Sequence, residues 1–156
     1  MVSEYNDMFY IPAENAYKHL TADNAKVAHD LVNQKRGLVA NFYAGKMSIS
    51  HPLITTSLAD IHVGNSIDMS VEVQLGELSP QDVCVEAYGG SVDAHNEIVD
   101  SFSTPMTMIR DNGNGNYSYQ CTVICNCAGR FGLTARIKAA GSDWDNSVPG
   151  FVCWPK

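Results

Sequence analysis

The sequence is poor in charge, and poorest in positive charge: charged residues make up 17% of its 156 positions, with 10 Lys and Arg against 17 Asp and Glu. The basic residues are scattered and the formal net charge is −7. That excludes the clustered Lys/Arg surface on which phosphate-backbone binding rests, so no nucleic-acid partner is expected. Long hydrophobic runs are missing too. Nothing approaches the ~20 apolar residues that span a bilayer, and no membrane partner is expected. Met1 to Met8 contain Glu4 and Asp7 and lack the apolar stretch of a secretory signal. Cysteine is present in an odd number, 5, which suits reduced cytosolic thiols better than a paired extracellular framework, so a cytoplasmic location is expected. There is no internal repeat, no Gly-rich phosphate loop opening a helix, and no His-x-x-x-His pair.

What is present belongs to a globular chain: 45% hydrophobic residues can bury a core. At 17.0 kDa there is room for one sandwich-sized domain and an appendage, but not for two complete enzyme domains. Two unlike parts are expected, a helical lead-in over 1–45 and a β-sandwich accessory domain over 46–156. In the first, Thr21 is placed as an N-cap with Asp23 in the first turn. Val27, Leu31, Leu38 and Phe42 then share one stripe, which predicts an amphipathic helix from Ala22 to about Phe42, bent or shortened at Gly37. Ahead of it, Glu4 to Tyr10 reads as a short helix stopping at Ile11-Pro12.

Beyond Met47 the apolar period changes to 2. Ile67, Met69, Val71, Val73 and Leu75 alternate with polar residues, the pattern of a strand with one buried face. Val83, Val85 and Ala87 alternate against Cys84, Glu86 and Tyr88. Ser101 to Ile109 reads as one strand, with Pro105 marking an edge or bulge. Asp111 to Asn116 is a hairpin loop by composition, and Tyr117, Tyr119, Cys121 and Val123 continue beyond it. Phe131, Leu133, Ala135 and Ile137 line one face of a later strand, with Thr134, Arg136 and Lys138 on the other. Val71 and Leu133 are expected to be buried at strand centres. Short strands with turns every ~8–12 residues predict a mainly β chain, an immunoglobulin-like antiparallel β-sandwich preceded by an amphipathic α-helical segment.

Several stretches, in this order, resemble the C-terminal region of bacterial and archaeal α-glucan (glycogen or maltodextrin) phosphorylases. They are Met1-Val2-Ser3-Glu4-Tyr5, Phe9-Tyr10-Ile11-Pro12-Ala13, Leu20-Thr21-Ala22-Asp23-Asn24, and Leu78-Ser79-Pro80-Gln81-Asp82-Val83 with Val85-Glu86-Ala87-Tyr88. Gly129 to Ile137 and the terminal Phe151-Val152-Cys153-Trp154 complete the set. The resemblance implies a glycosyltransferase parent that phosphorolyses α-1,4-glucan to glucose 1-phosphate with pyridoxal phosphate held on a lysine. That lysine's motif is not found around Lys18, Lys26, Lys35, Lys46, Lys138 or Lys156. The resemblance therefore implies a chain with no catalytic residue or cofactor site of its own, whose partners are the catalytic domains of the parent; on residue spacing, no metal site is expected either.

The remaining chemistry-bearing residues have plain readings beside sharper ones. Cys121, Cys125 and Cys127 share a parity, but on an extended strand they spread over ~20 Å, too far for one zinc ion without a sharp turn, and they read as core thiols. His19, His29, His51, His62 and His95 stand singly. Glu72, Glu77, Asp82 and Glu86 read as solvated rather than as a hydrolytic carboxylate pair. For carbohydrate, Trp144, Trp154, Tyr88, Tyr117 and Tyr119 are the available rings. Trp144, flanked by Asp143 and Asp145 in a polar, turn-rich stretch, is the candidate α-glucan contact, stacking on a glucose ring while the carboxylates accept hydroxyl hydrogen bonds. The alternative is that its indole plugs the end of the sandwich. Trp154 is expected to pack the tail against the sheets.

Overall fold

The computed structural model describes residues 5–57, 61–126, 128–141 and 151–156. The chain divides into two compact units, Met1–Gly37 and Leu38–Lys156. A π-helical turn, Asn6–Tyr10, runs straight into helix α1, Ile11–Tyr43, whose residues to Gly37 belong to the first unit and whose last turns belong to the second. The expected stop at Ile11-Pro12 does not occur: Ile11 is still helical, its N–H bonds back to the Asn6 carbonyl, and the helix runs on through Pro12. The break comes later, at Ala22–Ala25, where Ala22 is extended and Asp23, Asn24 and Ala25 have φ of 50°, 57° and 59°. The expected cap is also different: Thr21 Oγ1 donates to the Tyr17 carbonyl at 2.8 Å, bonding back along the helix instead of capping a new one. The helix continues through Gly37 without ending there. Among the described residues no helix is long and apolar enough to cross a membrane.

The second unit holds nine strands among the described residues, β1 (Ser48–Ile49), β2 (Leu53–Ile54), β3 (Ser66–Gln74), β4 (Val83–Val92), β5 (Ile98–Pro105), β6 (Thr107–Gly113), β7 (Asn116–Ile124), β8 (Phe131–Ala139) and β9 (Val152–Cys153). They form two antiparallel sheets. Sheet one is ordered β1-β3-β7-β6, with β2 also paired to β3, and sheet two is ordered β5-β4-β8-β9. Lettered in chain order with β1 and β2 as one interrupted strand A, the sheets read A-B-E-D and C′-C-F-G, the immunoglobulin-type arrangement.

The core follows from the period-2 pattern. Ile67, Met69, Val71 and Val73 of β3 lie opposite Val123, Cys121, Tyr119 and Tyr117 of β7, so both strands turn the same parity inward. Ala87, Ala135 and Ile137 do the same in sheet two and are fully buried. Leu133 shares that inner parity yet is only half-buried, against expectation: its cross-strand neighbour is Gly89, which has no side chain to cover it. The single strand expected over Ser101 to Ile109 is in fact two. β5 ends at Pro105 in sheet two, buried Met106 makes the crossing, and β6 begins at Thr107 in sheet one. Proline, with no N–H to donate, stands where the ladder is left.

The expected six-residue loop narrows to a two-residue turn, Asn114-Gly115, both at positive φ (53° and 76°), as a hairpin of right-twisted strands requires. Gly76, at φ 66°, closes the turn after β3. A Cβ there would meet Asn41 Oδ1 at 2.6 Å. That oxygen accepts the Glu77 N–H at 3.1 Å, which ties the buried Asn41 on the last turn of α1 to the β3–β4 connection.

Candidate functional site on the outer face of sheet two

Residues of even number on β4 and β8 point away from the core, and the register places Glu86 opposite Arg136 and Tyr88 opposite Thr134. Sequence alone reads Glu86 as solvated. Instead its side chain is 7% exposed and ion-paired on two sides, to Arg136 Nη2 at 2.9 Å and to Lys138 Nζ at 3.1 Å. Arg136 Nε donates to the same carboxylate at 3.0 Å, and Nη2 also donates to Ser103 Oγ on β5 at 3.0 Å. Burial pushes the Glu86 carboxyl up, but the hydrogen bonds and charges of Lys138 and Arg136 outweigh it and hold the group below the usual carboxylate range. The carboxylate is therefore ionised at neutral pH and holds the guanidinium in one place.

Two aromatic rings complete the cluster. The Arg136 guanidinium carbon lies 4.6 Å from the Tyr88 ring centroid and 5.7 Å from that of Trp154, within cation–π range. The two rings meet edge to face at 5.4 Å and 74°. Trp154 thus packs the tail on the sheet, as expected from sequence, while staying 41% exposed. The other candidate rings separate from it: Tyr119 is buried and Tyr117 is half-buried on the inner parity of β7. Trp144, Asp143 and Asp145, the candidate α-glucan contacts, lie outside the described residues.

The remaining sequence candidates do not converge. Glu72 accepts from Ser118 Oγ at 2.8 Å and from Asn112 Nδ2 at 3.0 Å on the outer face of sheet one, the opposite side of the sandwich from Glu86. Those two carboxylates cannot act as a pair. Glu77 pairs with Lys46 at 2.6 Å, and Asp82 accepts from Ser79 N–H and Oγ within its turn. All five histidines are exposed. Cys84, Cys121, Cys125 and Cys153 are thiols, and burial pushes those of Cys121 and Cys153 up. Among the described residues no group of three or more His, Cys, Asp or Glu is placed to hold a metal ion.

A lysine that carries pyridoxal phosphate must lose its proton in a desolvated pocket. Here Lys18, Lys26, Lys46 and Lys138 each face a carboxylate at 2.6–3.1 Å, and Lys35 and Lys156 are exposed. Among the described residues, then, no lysine stands unpaired in a desolvated pocket.

Fold and site define an immunoglobulin-like β-sandwich with a charged and aromatic outer face. The model of the glycogen phosphorylase C-terminal domain family matches residues 45–156, and the chain belongs to that family. Over 138 residues it is 26% identical to the glycogen phosphorylases of two Mycobacterium tuberculosis strains, CDC 1551 / Oshkosh and ATCC 25618 / H37Rv, and 25% identical to that of Mycobacterium bovis. The match covers 88% of this chain and 16% of each relative. No solved structure matches the chain at a significant level.

Proposed function

We propose that this chain is a non-catalytic C-terminal portion of a cytoplasmic α-glucan phosphorylase, with a structural role in holding to the catalytic domains of that enzyme. The parent reaction is phosphorolysis of α-1,4-glucan to glucose 1-phosphate, with pyridoxal phosphate bound in those domains. The observation that carries this reading is the row of aromatic side chains in the first unit. Tyr5, Phe9, Tyr10 and Tyr17 are 54–69% exposed, the Tyr5 ring lies 4.8 and 6.5 Å from those of Phe9 and Tyr10, and clustered exposed aromatics mark an interaction surface. The charge balance supports a protein or neutral-sugar partner over a nucleic acid.

Two measurements test the reading. The purified chain is expected to form no borohydride-reducible adduct with pyridoxal phosphate; a stoichiometric adduct at one lysine would end the non-catalytic reading. Titrated into the catalytic portion of a glycogen phosphorylase expressed without its C-terminal region, the chain is expected to associate, and Phe9→Ser with Tyr10→Ser to weaken that association at least tenfold. Undiminished binding by the double variant would remove the docking role.

A second reading, an α-glucan-binding module, is favoured by one observation: Tyr88, Arg136 and Trp154 meet on a sheet face with the indole partly open to solvent.

A further inference from the structure

We infer that the outer face of sheet two carries an α-glucan subsite built on Tyr88, Trp154 and Arg136, with Ser103 at its rim; this rests on the second reading above and gives it a place. A glucose ring has equatorial hydroxyls at its edge and C–H groups on its faces, so it needs an aromatic surface beneath and hydrogen-bonding groups beside it. Tyr88 and Trp154 supply two rings meeting at 74°. The guanidinium already lies over the Tyr88 ring, so the stacking surface is the indole, with Tyr88 bracing it edge to face. Trp154 keeps 41% of its surface open.

The guanidinium supplies the polar edge, and its bonding decides the ligand class. A site for phosphate or carboxylate presents the Arg fork to the incoming oxyanion. Here Nε and Nη2 already bind Glu86 Oε2, at 3.0 and 2.9 Å, and Nη2 also binds Ser103 Oγ. Nη1 takes part in none of these contacts, and its two N–H donors suit neutral hydroxyls. Lys138, the other cation, is held by Glu86 at 3.1 Å. With its side chains already fixed by these bonds, the face loses little side-chain freedom on binding.

The opposite outer face makes a useful contrast. The groove there, about 690 Å³ and lined by Thr55, Asp68, Ser70, Thr107 and Gln120, contains no aromatic ring. Its polar groups also bond among themselves, as in Thr122 Oγ1 to Asp68 Oδ1 at 2.7 Å.

The test is titration of the full chain with maltoheptaose, followed by amide and indole NMR shifts. Saturable millimolar shifts are expected at Tyr88, Ser103, Arg136 and the Trp154 indole N–H. Trp154→Ala should lower affinity about tenfold, the order of one stacked ring. Arg136→Lys, which keeps the charge and loses the planar fork, should lower it about fivefold, the order of one hydrogen bond. Saturable shifts centred on Asp143 to Asn146, with the sheet face silent, would overturn this site while leaving glucan binding standing. No shift anywhere at millimolar sugar would overturn both. If Trp154→Ala lowers stability but binds maltoheptaose with unchanged affinity, the trio is only an anchor for the tail and the subsite is refuted.

Discussion

The two units of this chain differ in whether they bury any of their aromatic side chains: Leu38–Lys156 exposes Tyr43 and Trp154 but packs others inside, and Met1–Gly37 packs none of those described. In Leu38–Lys156, Tyr119 is buried, Phe102 and Phe131 stack at 6.0 Å, and Phe42 meets Phe151 edge to face at 6.2 Å. In Met1–Gly37, none of the described residues is buried, and Tyr5, Phe9, Tyr10 and Tyr17 lie open to solvent. The second unit has a core of its own between two sheets. The first has short-range helix contacts, such as Tyr5 against Phe9 at 4.8 Å, and helices of this kind draw most of their stability from tertiary packing. The difference teaches that a single composition can describe two kinds of folding unit. It is burial, more than hydrophobic content, that separates a self-sufficient domain from a segment with an unspent apolar surface.

The largest effect that would sharpen this comparison lies in the core of the second unit. Ile137 is 0% exposed on β8, and Ile137→Ala is expected to destabilise by about 2–5 kcal/mol through lost burial and the cavity left behind. Leu133→Ala on the same strand face should cost clearly less, because Leu133 is only half-buried beside Gly89. Chemical denaturation of the two variants checks this, and equal midpoints would contradict the burial difference.

How far this was readable from sequence depends on the range of the interaction. The inward parity of β3, β7 and β8 follows from local alternation, and the hairpin between Asp111 and Asn116 follows from composition, though not its narrowing to Asn114-Gly115. The break in the helical segment is signalled by Asp23-Asn24, two residues that accept left-handed backbone more readily than most, although the capping role assigned to Thr21 was not the one it plays. The splitting of one expected strand into β5 and β6 has only Pro105 as its signal. Glu86 reads as solvated from sequence because its partner Arg136 is 50 residues away, and only the β4–β8 register brings them together. Local pattern fixes which face a side chain takes, but it carries no register between distant strands. The same limit hid the meeting of Tyr88 with Trp154, each of which is visible alone as an available ring.

A middle-sized effect tests the ion pair that makes sheet two's outer face unlike the open surface of the first unit. The folded-state pKa of Glu86 is lowered, so the pair stabilises fully above the ordinary carboxylate value of 4.5 and loses that contribution as pH falls through the folded value. The acid limb of a stability–pH profile should therefore be shallower in Glu86→Gln than in the parent sequence. At neutral pH, Arg136→Met should cost about 1–3 kcal/mol, because Glu86 keeps only Lys138 as a cationic partner. An unchanged acid limb in Glu86→Gln would mean that the carboxylate is solvated after all.

The smallest effect belongs to the first unit, and its smallness is the point. Phe9 and Tyr10 are 54% and 66% exposed, so replacing both by Ser removes little buried area and should change the stability of the isolated chain by no more than about 0.5 kcal/mol. If these rings serve a partner, the same double variant must show its defect only when that partner is present, as loss of association with the phosphorylase catalytic portion. Thermal melts of the isolated chain, run beside binding titrations, separate the two. A melt lowered by several degrees in the isolated variant would show that the rings support the chain's own structure, and the contrast between the two units would collapse into a difference of degree.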